Sequence, residues 1–351
     1  MSRAPRAVAL GGGHGLYATL SALRRLTDDV TAVVTVADDG GSSGRLRREL
    51  GVLPPGDLRM ALAALAAPDD GGLRWREVFQ HRFGGNGALA GHAVGNLLLA
   101  GLLEVLGDPV AVLDEACRLL GVRGRVLPMT VEPLDIEADV ADLDTDPGTL
   151  HRIRGQVAVA TTPGRVRRVR LYPERPRACD EAVRAVAGAD LIVLGPGSWF
   201  TSVLPHLLVP ELADALAGTA ARRVLVLNLA PQPGETAGFS PEQHLHVLSE
   251  HAPAGFTVDA VLADTGAVAA AARLHRSAAQ LGGHAYLDQV ATGPDSDRHD
   301  PAALAAALGR ILAADPVHPV GAGAGGPTGA HPGPPAEREE EPGGDDRCGE
   351  G

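Results

Sequence analysis

A glycine-rich loop near the N-terminus has the composition and position of a phosphate-binding loop. It joins an apolar strand, residues 7–10, to a segment with leucines at helical spacing. The loop contains Gly11, Gly12, Gly13, His14 and Gly15. N–H groups at the start of a helix attract anions, and glycines let phosphate approach the backbone closely. We therefore predict a phosphate loop. The alternative is a tight turn without a ligand, and His14 is either a phosphate donor or a solvated side chain.

Acidic, hydroxyl and basic side chains follow the second predicted strand, residues 31–36. They are Asp38, Asp39, Ser42, Ser43 and Arg45. Strands of a parallel sheet end at the ligand crevice, so carboxylates here can accept ribose hydroxyls or hold Mg²⁺. The serines and nearby glycines can form a second anion nest, and the arginine can bind phosphate through two hydrogen bonds. We favour ligand binding over the alternative, a polar loop with an aspartate helix cap.

Three further polar residues are candidates in the first half of the chain. Asp57 precedes an apolar helical pattern, so it is either a helix N-cap or a carboxylate for a metal or ligand. His92 and Asn96 are four residues apart, which predicts that they share one face of a helix. This pair either lines a pocket or has a structural role.

Polar loops also follow two later predicted strands. Residues 191–194 are fully apolar and run into the small residues Gly195, Pro196, Gly197 and Ser198. Asn228 and Gln232 follow the next strand in the same relative place. Polar loops at consecutive strand ends indicate one ligand that is bound across the edge of the sheet. No nucleophile-elbow motif and no pair of nucleophile and base is present, which favours binding over catalysis.

Composition excludes several classes of site. All 31 basic residues of the 351 are arginine, so a Walker A lysine and a Schiff-base lysine are absent. The net charge of −12 argues against nucleic-acid binding. The three cysteines are far apart, which argues against a disulfide framework or a zinc ribbon. No long apolar run and no signal-peptide pattern is present, so we expect a cytoplasmic protein without a membrane span.

Strand and helix patterns alternate along most of the chain. They predict an α/β fold with a Rossmann-like, mostly parallel sheet and helices on both faces. Residues 126–140 and 156–171 are rich in Val, Ile and Thr, which predicts a small inserted β-rich region at about residues 123–175. We expect one domain over residues 1–315, followed by a disordered Gly/Pro/Glu-rich tail, residues 316–351.

Residues 7–312 resemble the gluconeogenesis-factor branch of the CofD-like family. The motifs that carry the resemblance are, in order, ALGGGHGLYATL, VVTVADDGGSSGRLR, PPGDLR, GHAVGNLLLA, ADLIVLGPGSWFTSVL and NLAPQPGETAGFS. The resemblance implies a nucleotide ligand of the UDP-sugar type, such as UDP-N-acetylglucosamine. It also implies a role in cell shape and cell-wall synthesis during growth on gluconeogenic carbon sources, with regulatory protein partners and no secure reaction.

The resemblance leaves two alternatives. The sister branch is a Mg²⁺-dependent transferase that moves a phospholactyl-type group from a guanylylated donor, and Asp57 stands where that branch has a metal-binding carboxylate. An NAD-binding protein is the other alternative, although Leu16 occupies the third glycine position of the dinucleotide fingerprint. GDP is thus a further candidate ligand, Mg²⁺ a candidate cofactor, and a homodimer a candidate assembly.

Overall fold

The main sheet of the computed structural model contains seven parallel strands within the described residues, which are 3–144, 149–232, 234–294 and 296–314. The strand order is β10-β9-β8-β7-β1-β2-β3. The strands are β1 (Ala7–Gly11), β2 (Val30–Val34), β3 (Arg125–Pro128), β7 (Leu191–Leu194), β8 (Arg222–Val226), β9 (Ala260–Asp264) and β10 (His284–Asp288). β1 and β7 are buried along their whole length, which explains their continuous apolar sequences, and β9 is buried as far as its last residue, Asp264. The predicted α/β class with a mostly parallel sheet is confirmed.

Helices connect these strands. They are α1 (Gly13–Leu23), α2 (Gly41–Leu50), α3 (Pro55–Leu65), α4 (Asp70–Gln80), α5 (Val94–Leu106), α6 (Pro109–Leu119), α7 (Gln156–Ala160), α8 (Asp180–Ala187), α9 (Pro205–Leu208), α10 (Pro210–Gly218), α11 (Pro241–His251), α12 (Ala271–Gln280) and α13 (Pro301–Ala313). A short π-helix, Trp199–Val203, follows β7, and a 3₁₀ turn, Thr265–Ala267, follows β9. No helix within the described residues is long and apolar enough to cross a membrane.

A small antiparallel sheet forms the predicted insert. It has the order β5-β4-β6, with β4 (Asp135–Ala141), β5 (His151–Arg154) and β6 (Arg165–Tyr172). Two details differ from the sequence prediction. β3 belongs to the main sheet, where it pairs with β2, and residues 156–160 form α7 instead of a strand. The alternating apolar residues of α7 favour a strand locally, but tertiary contacts override this preference. The predicted tail, residues 316–351, lies outside the described residues.

The order in which the chain adds strands to the sheet reverses between β1 and β7. From β1 the chain adds β2 and β3 on one side, and it then returns to add β7, β8, β9 and β10 on the other. In open parallel sheets, ligands bind outside the carboxyl ends of the strands at such a switch point. The two glycine loops follow β1 and β7, so the fold places both of them there.

Candidate functional site

A cleft of about 900 Å³ lies at this switch point. Its walls come from the loops after β1, β7 and β8, from α7, from Thr292 and from residues 297–301. Of the residues predicted from the sequence, it is lined by His14, Gly15, Pro196, Gly197, Ser198, Asn228 and Gln232. The structure therefore brings the first glycine loop, the second glycine loop and the loop after β8 to one cavity. A volume of this size is in the range of small-molecule and cofactor sites.

The loop after β1 approaches the loop after β7 so closely that a side chain would not fit. A Cβ atom on Gly15 would overlap with the Pro196 carbonyl oxygen and would lie 2.9 Å from Gly197 Cα. Gly12 is the N-cap residue of α1, and it provides no side-chain cap. The first N–H groups of a helix have no partner within the helix, so those of His14 and Gly15 are available at the cleft. This is the geometry of an anion site at a helix N-terminus.

Asn228 positions the second glycine loop. Its side-chain oxygen accepts a hydrogen bond from Gly197 N at 2.8 Å, and its amide nitrogen donates to Gly197 O at 2.8 Å. Gln232 lies on the same wall of the cleft, and its side-chain oxygen is buried without a hydrogen-bond partner in the described residues. Gln232 is therefore the better placed of the two side chains to bind a ligand directly.

A side-chain carboxyl group already occupies the position where an anion could bind at the end of the second glycine loop. Glu235 accepts hydrogen bonds from the hydroxyl groups of Ser198 and Thr201, and from the N–H groups of Trp199 and Phe200. Burial raises the pKa of Glu235, and these four donors oppose that rise. The N-terminus of the π-helix is thus satisfied within the protein. We infer that a ligand phosphate binds to the N-terminus of α1 instead.

Two carboxyl groups lie behind the first glycine loop. Burial, and next the charge of Asp38, raise the pKa of Asp57 to about 7, while a hydrogen bond from Gly13 N lowers it. Asp57 is in the first turn of α3 but caps nothing there, so it is not the N-cap that the sequence allowed. A Cβ atom on Gly12 would overlap with the Asp57 carboxyl group and would lie 3.2 Å from Ser202 Oγ.

This acidic cluster has a donor set that suits Mg²⁺. Mg²⁺ is commonly held by one or two carboxylates together with the phosphates of a substrate. Asp38 and Asp57 provide two carboxylates, and buried Ser43 and Ser202 provide hydroxyl oxygens nearby. No group of three or more His, Cys, Asp or Glu side chains suited to a metal occurs within the described residues. The cluster therefore fits a metal that a phosphate ligand would bring with it, and not a metal held by protein alone.

Asp39 faces away from this cluster. Its Oδ1 accepts a hydrogen bond from Val157 N at 2.9 Å, in the first turn of α7. Gly155, with a φ of +105°, is packed so closely that a Cβ atom would overlap with the Asp39 carboxyl group. The side chain of Asp39 thus joins the insert to the main sheet.

Three of the remaining predicted residues, Ser42, His92 and Asn96, are buried and form a hydrogen-bonded chain. Ser42 Oγ contacts His92 Nδ1 at 2.9 Å and accepts from Asn96 Nδ2 at 3.0 Å. Asn96 Oδ1 in turn accepts from Arg59 Nε at 2.9 Å. His92 precedes α5 instead of lying in it, so the prediction of a shared helical face was wrong, and Ser42 connects the pair. Arg45 donates to Ala90 O, which anchors residues 81–93.

Sequence patterns did not identify the arginines beside the cleft. Arg59, Arg82 and Arg298 line a second cavity of about 460 Å³, and Arg298 lines the main cleft as well. They lie in α3, in the loop after α4 and in the loop before α13, so no local spacing connects them.

The parallel sheet, its switch point and the cleft define an open α/β protein, a class in which ligands bind at the carboxyl edge of the sheet. The family described as 2-phospho-L-lactate transferase CofD matches residues 7–296. The chain therefore belongs to the CofD family.

Individual relatives indicate the branch of this family. A Mycobacterium tuberculosis gluconeogenesis factor homologue is 63% identical over 88% of this chain and 90% of its own length. The Bacillus subtilis gluconeogenesis factor is 39% identical over 76% of this chain and 80% of its own length. A crystal structure of a UPF0052 family member from Bacillus halodurans has a TM-score of 0.78 and 33% identity, and the match covers 88% of this chain and 100% of that one. The resemblance to the gluconeogenesis-factor branch is confirmed.

Proposed function

We propose that this protein is a regulatory binding protein for a nucleotide sugar of the UDP-N-acetylglucosamine type. The nucleotide phosphates bind the N-terminus of α1 at His14 and Gly15, and the sugar or base extends along the wall that contains Gln232. The relatives named gluconeogenesis factor support a role in growth on gluconeogenic carbon sources. Control of cell shape and cell-wall synthesis is part of the same proposal.

The observation that carries the proposal is the shape of the cleft. One helix N-terminus with free N–H groups opens into about 900 Å³ at the switch point, whereas the other loop's N–H groups are engaged by Glu235. A phosphate position beside a wall of mixed polar and apolar residues suits a nucleotide diphosphate with a large substituent. The lining contains no buried pair of nucleophile and histidine base within the described residues, which supports binding without turnover.

Calorimetric titration tests the proposal directly. The purified protein is titrated with UDP-N-acetylglucosamine, UDP, GDP and NAD, each with and without Mg²⁺. We expect the UDP-sugar to bind in the micromolar range without metal and to remain intact on incubation. Preference for NAD, or for GDP with Mg²⁺, would contradict the assignment.

The acidic cluster supports a second candidate, a Mg²⁺-dependent transferase of the phospholactate type. Its basis is the pair Asp38 and Asp57 behind the phosphate loop, because the pKa of Asp57 is raised to about 7 partly by the charge of Asp38. A cation between these carboxylates would relieve their repulsion and would neutralise charge on a transferred phosphate.

The variant Asp57→Asn separates the two candidates. A transferase-like site predicts that this variant loses Mg²⁺-dependent nucleotide binding, because one of the two carboxylates is removed. A regulatory binding site predicts that the UDP-sugar still binds without metal in this variant, with an affinity no lower than that of the wild type. Asp29→Asn, at an exposed position remote in the fold from the acidic cluster, is the matched control.

A further inference from the structure

A second cavity, of about 460 Å³, adjoins the main cleft. The two cavities share the side chains of His14, Tyr17 and Arg298, so they are neighbours across the start of α1. Arg59 and Arg82 line only the second cavity of the two. Three guanidinium groups therefore surround a space that no acidic side chain of the described residues lines.

Arg59 is the unusual member of this set, because it is only 4% exposed. Its Nε donates to Asn96 Oδ1 at 2.9 Å, but Nη1 is buried and has no hydrogen-bond partner in the described part of the chain. A buried guanidinium normally pairs with a carboxylate or fills its hydrogen bonds, since an unpaired buried charge is costly. Arg59 thus holds an unpaired charged donor in the wall of the cavity.

The neighbouring arginines add charge without neutralising it. Arg82 donates through Nη1 to Gly91 O at 2.9 Å, which holds its exposed side chain at the rim. Within the described ranges, none of the three arginines makes an ion pair of 4 Å or less with a carboxylate. Burial and the charge of Arg82 lower the pKa of Arg59 to about 10, so it remains a cation at neutral pH.

We propose that this arginine pocket, formed by Arg59, Arg82 and Arg298, is a second anion subsite that binds a phosphate or carboxylate group separately from the nucleotide phosphates. Guanidinium groups are suited to such oxyanions because their planar N–H donors match two oxygens at once. Two kinds of ligand could supply this oxyanion. It is either a free phosphorylated or carboxylated small molecule, or an acidic group on the sugar of the bound nucleotide.

Titration of inorganic phosphate, followed by ³¹P NMR, tests the free-anion source. It is carried out on the free protein and on protein saturated with UDP, for the wild type, Arg59→Met, Arg82→Ala and Arg25→Ala. We expect phosphate to bind in both states. In the UDP-saturated protein, where the α1 position is filled, Arg82→Ala should weaken phosphate binding about tenfold and Arg59→Met should abolish it. The exposed Arg25 lies outside the pocket, so its variant is the matched control. Thermal melting shows whether Arg59→Met folds, and Arg82→Ala, at an exposed position, keeps the test valid if it does not.

A comparison of UDP-glucuronate with UDP-glucose tests the second source, and this arm alone rests on the proposed nucleotide site. A tighter complex with the acidic sugar in the wild type, lost in Arg82→Ala, assigns the pocket to that sugar. Three results together would overturn the proposal. UDP displaces the phosphate, phosphate binds equally well to the wild type and to Arg82→Ala, and the wild type shows no preference for the acidic sugar. Failure of UDP itself to bind would instead contradict the nucleotide site and leave the free-protein titration decisive.

Discussion

Replacing Asp57 by asparagine is expected to stabilise the protein, and to do so only when the pH is high enough to ionise the carboxyl group. Folding raises the pKa of Asp57 from 3.8 to about 7, first by burial and then by the charge of Asp38. The folded protein therefore holds a proton between about pH 4 and pH 7 that the unfolded chain releases. A raised carboxyl pKa contributes stability below the unfolded value, and that stability is lost as the pH rises through the folded value.

The size of the effect follows from the difference between the two pKa values. About three pKa units at ~1.4 kcal/mol each give up to about 4 kcal/mol of stability that the wild type loses between pH 4 and pH 7. The asparagine side chain of the variant would carry no charge in this range and is nearly isosteric with the aspartate. The variant should therefore match the wild type near pH 4 and exceed it by up to about 4 kcal/mol above pH 7.

Urea denaturation at pH 4, 5.5, 7 and 8.5 measures this difference in the free energy of unfolding. Asp29→Asn, at an exposed position, is the control, and we expect its difference from the wild type to stay within about 0.5 kcal/mol at every pH. The reasoning is refuted if Asp57→Asn differs from the wild type by the same amount at all four pH values. A variant that is less stable at pH 8.5 would refute it as well.

Three other substitutions test the geometry of the cleft. Gly15→Ala should lower the free energy of unfolding by more than about 2 kcal/mol in urea denaturation, because the new Cβ overlaps with the Pro196 carbonyl. Gly101→Ala, in open space on α5, should raise it by about 0.5–1 kcal/mol. Asn228→Ala should cost about 2 kcal/mol and weaken nucleotide binding in calorimetry, since both hydrogen bonds to Gly197 are lost. Asp39→Ala should lower stability by about 1 kcal/mol, because the Asp39 carboxylate accepts a hydrogen bond from the first turn of α7. Its affinity for UDP should change less than twofold. A tenfold loss of affinity would instead show that Asp39 contacts the ligand.

Local pattern was sufficient to predict the scaffold of the cleft. Both faces of a parallel sheet are covered by helices, so its strands need apolar residues at every position. Residues 191–194 meet this requirement and form a buried strand. The positions of the glycine loops follow from these strands, since the carboxyl ends of parallel strands share one edge. The closeness of Gly15 to Pro196 is then a consequence of β1 pairing with β7.

Local pattern could not assign individual polar side chains. Asp38 and Asp39 are adjacent and identical, yet one lies beside Asp57 and the other binds the first turn of α7. That difference depends on where the insert folds back, which is a contact between residues 118 positions apart. The same limit applies to Glu235, because its contacts with the start of the π-helix after β7 join residues 34 to 37 positions apart.

The first two turns of α3 arrange opposite charges around the start of α1. Asp57 accepts a hydrogen bond from Gly13 N behind the glycine loop, while Arg59 faces the cavity that His14 and Tyr17 separate from the cleft. Residues two apart on a helix point in nearly opposite directions, so one short segment serves both sides. A phosphate at α1 would thus lie between a carboxyl group, which disfavours it unless protonated or bound to a cation, and a guanidinium group that attracts it. Binding of a bare anion should therefore favour the protonated Asp57, whereas a magnesium complex should favour its ionised form.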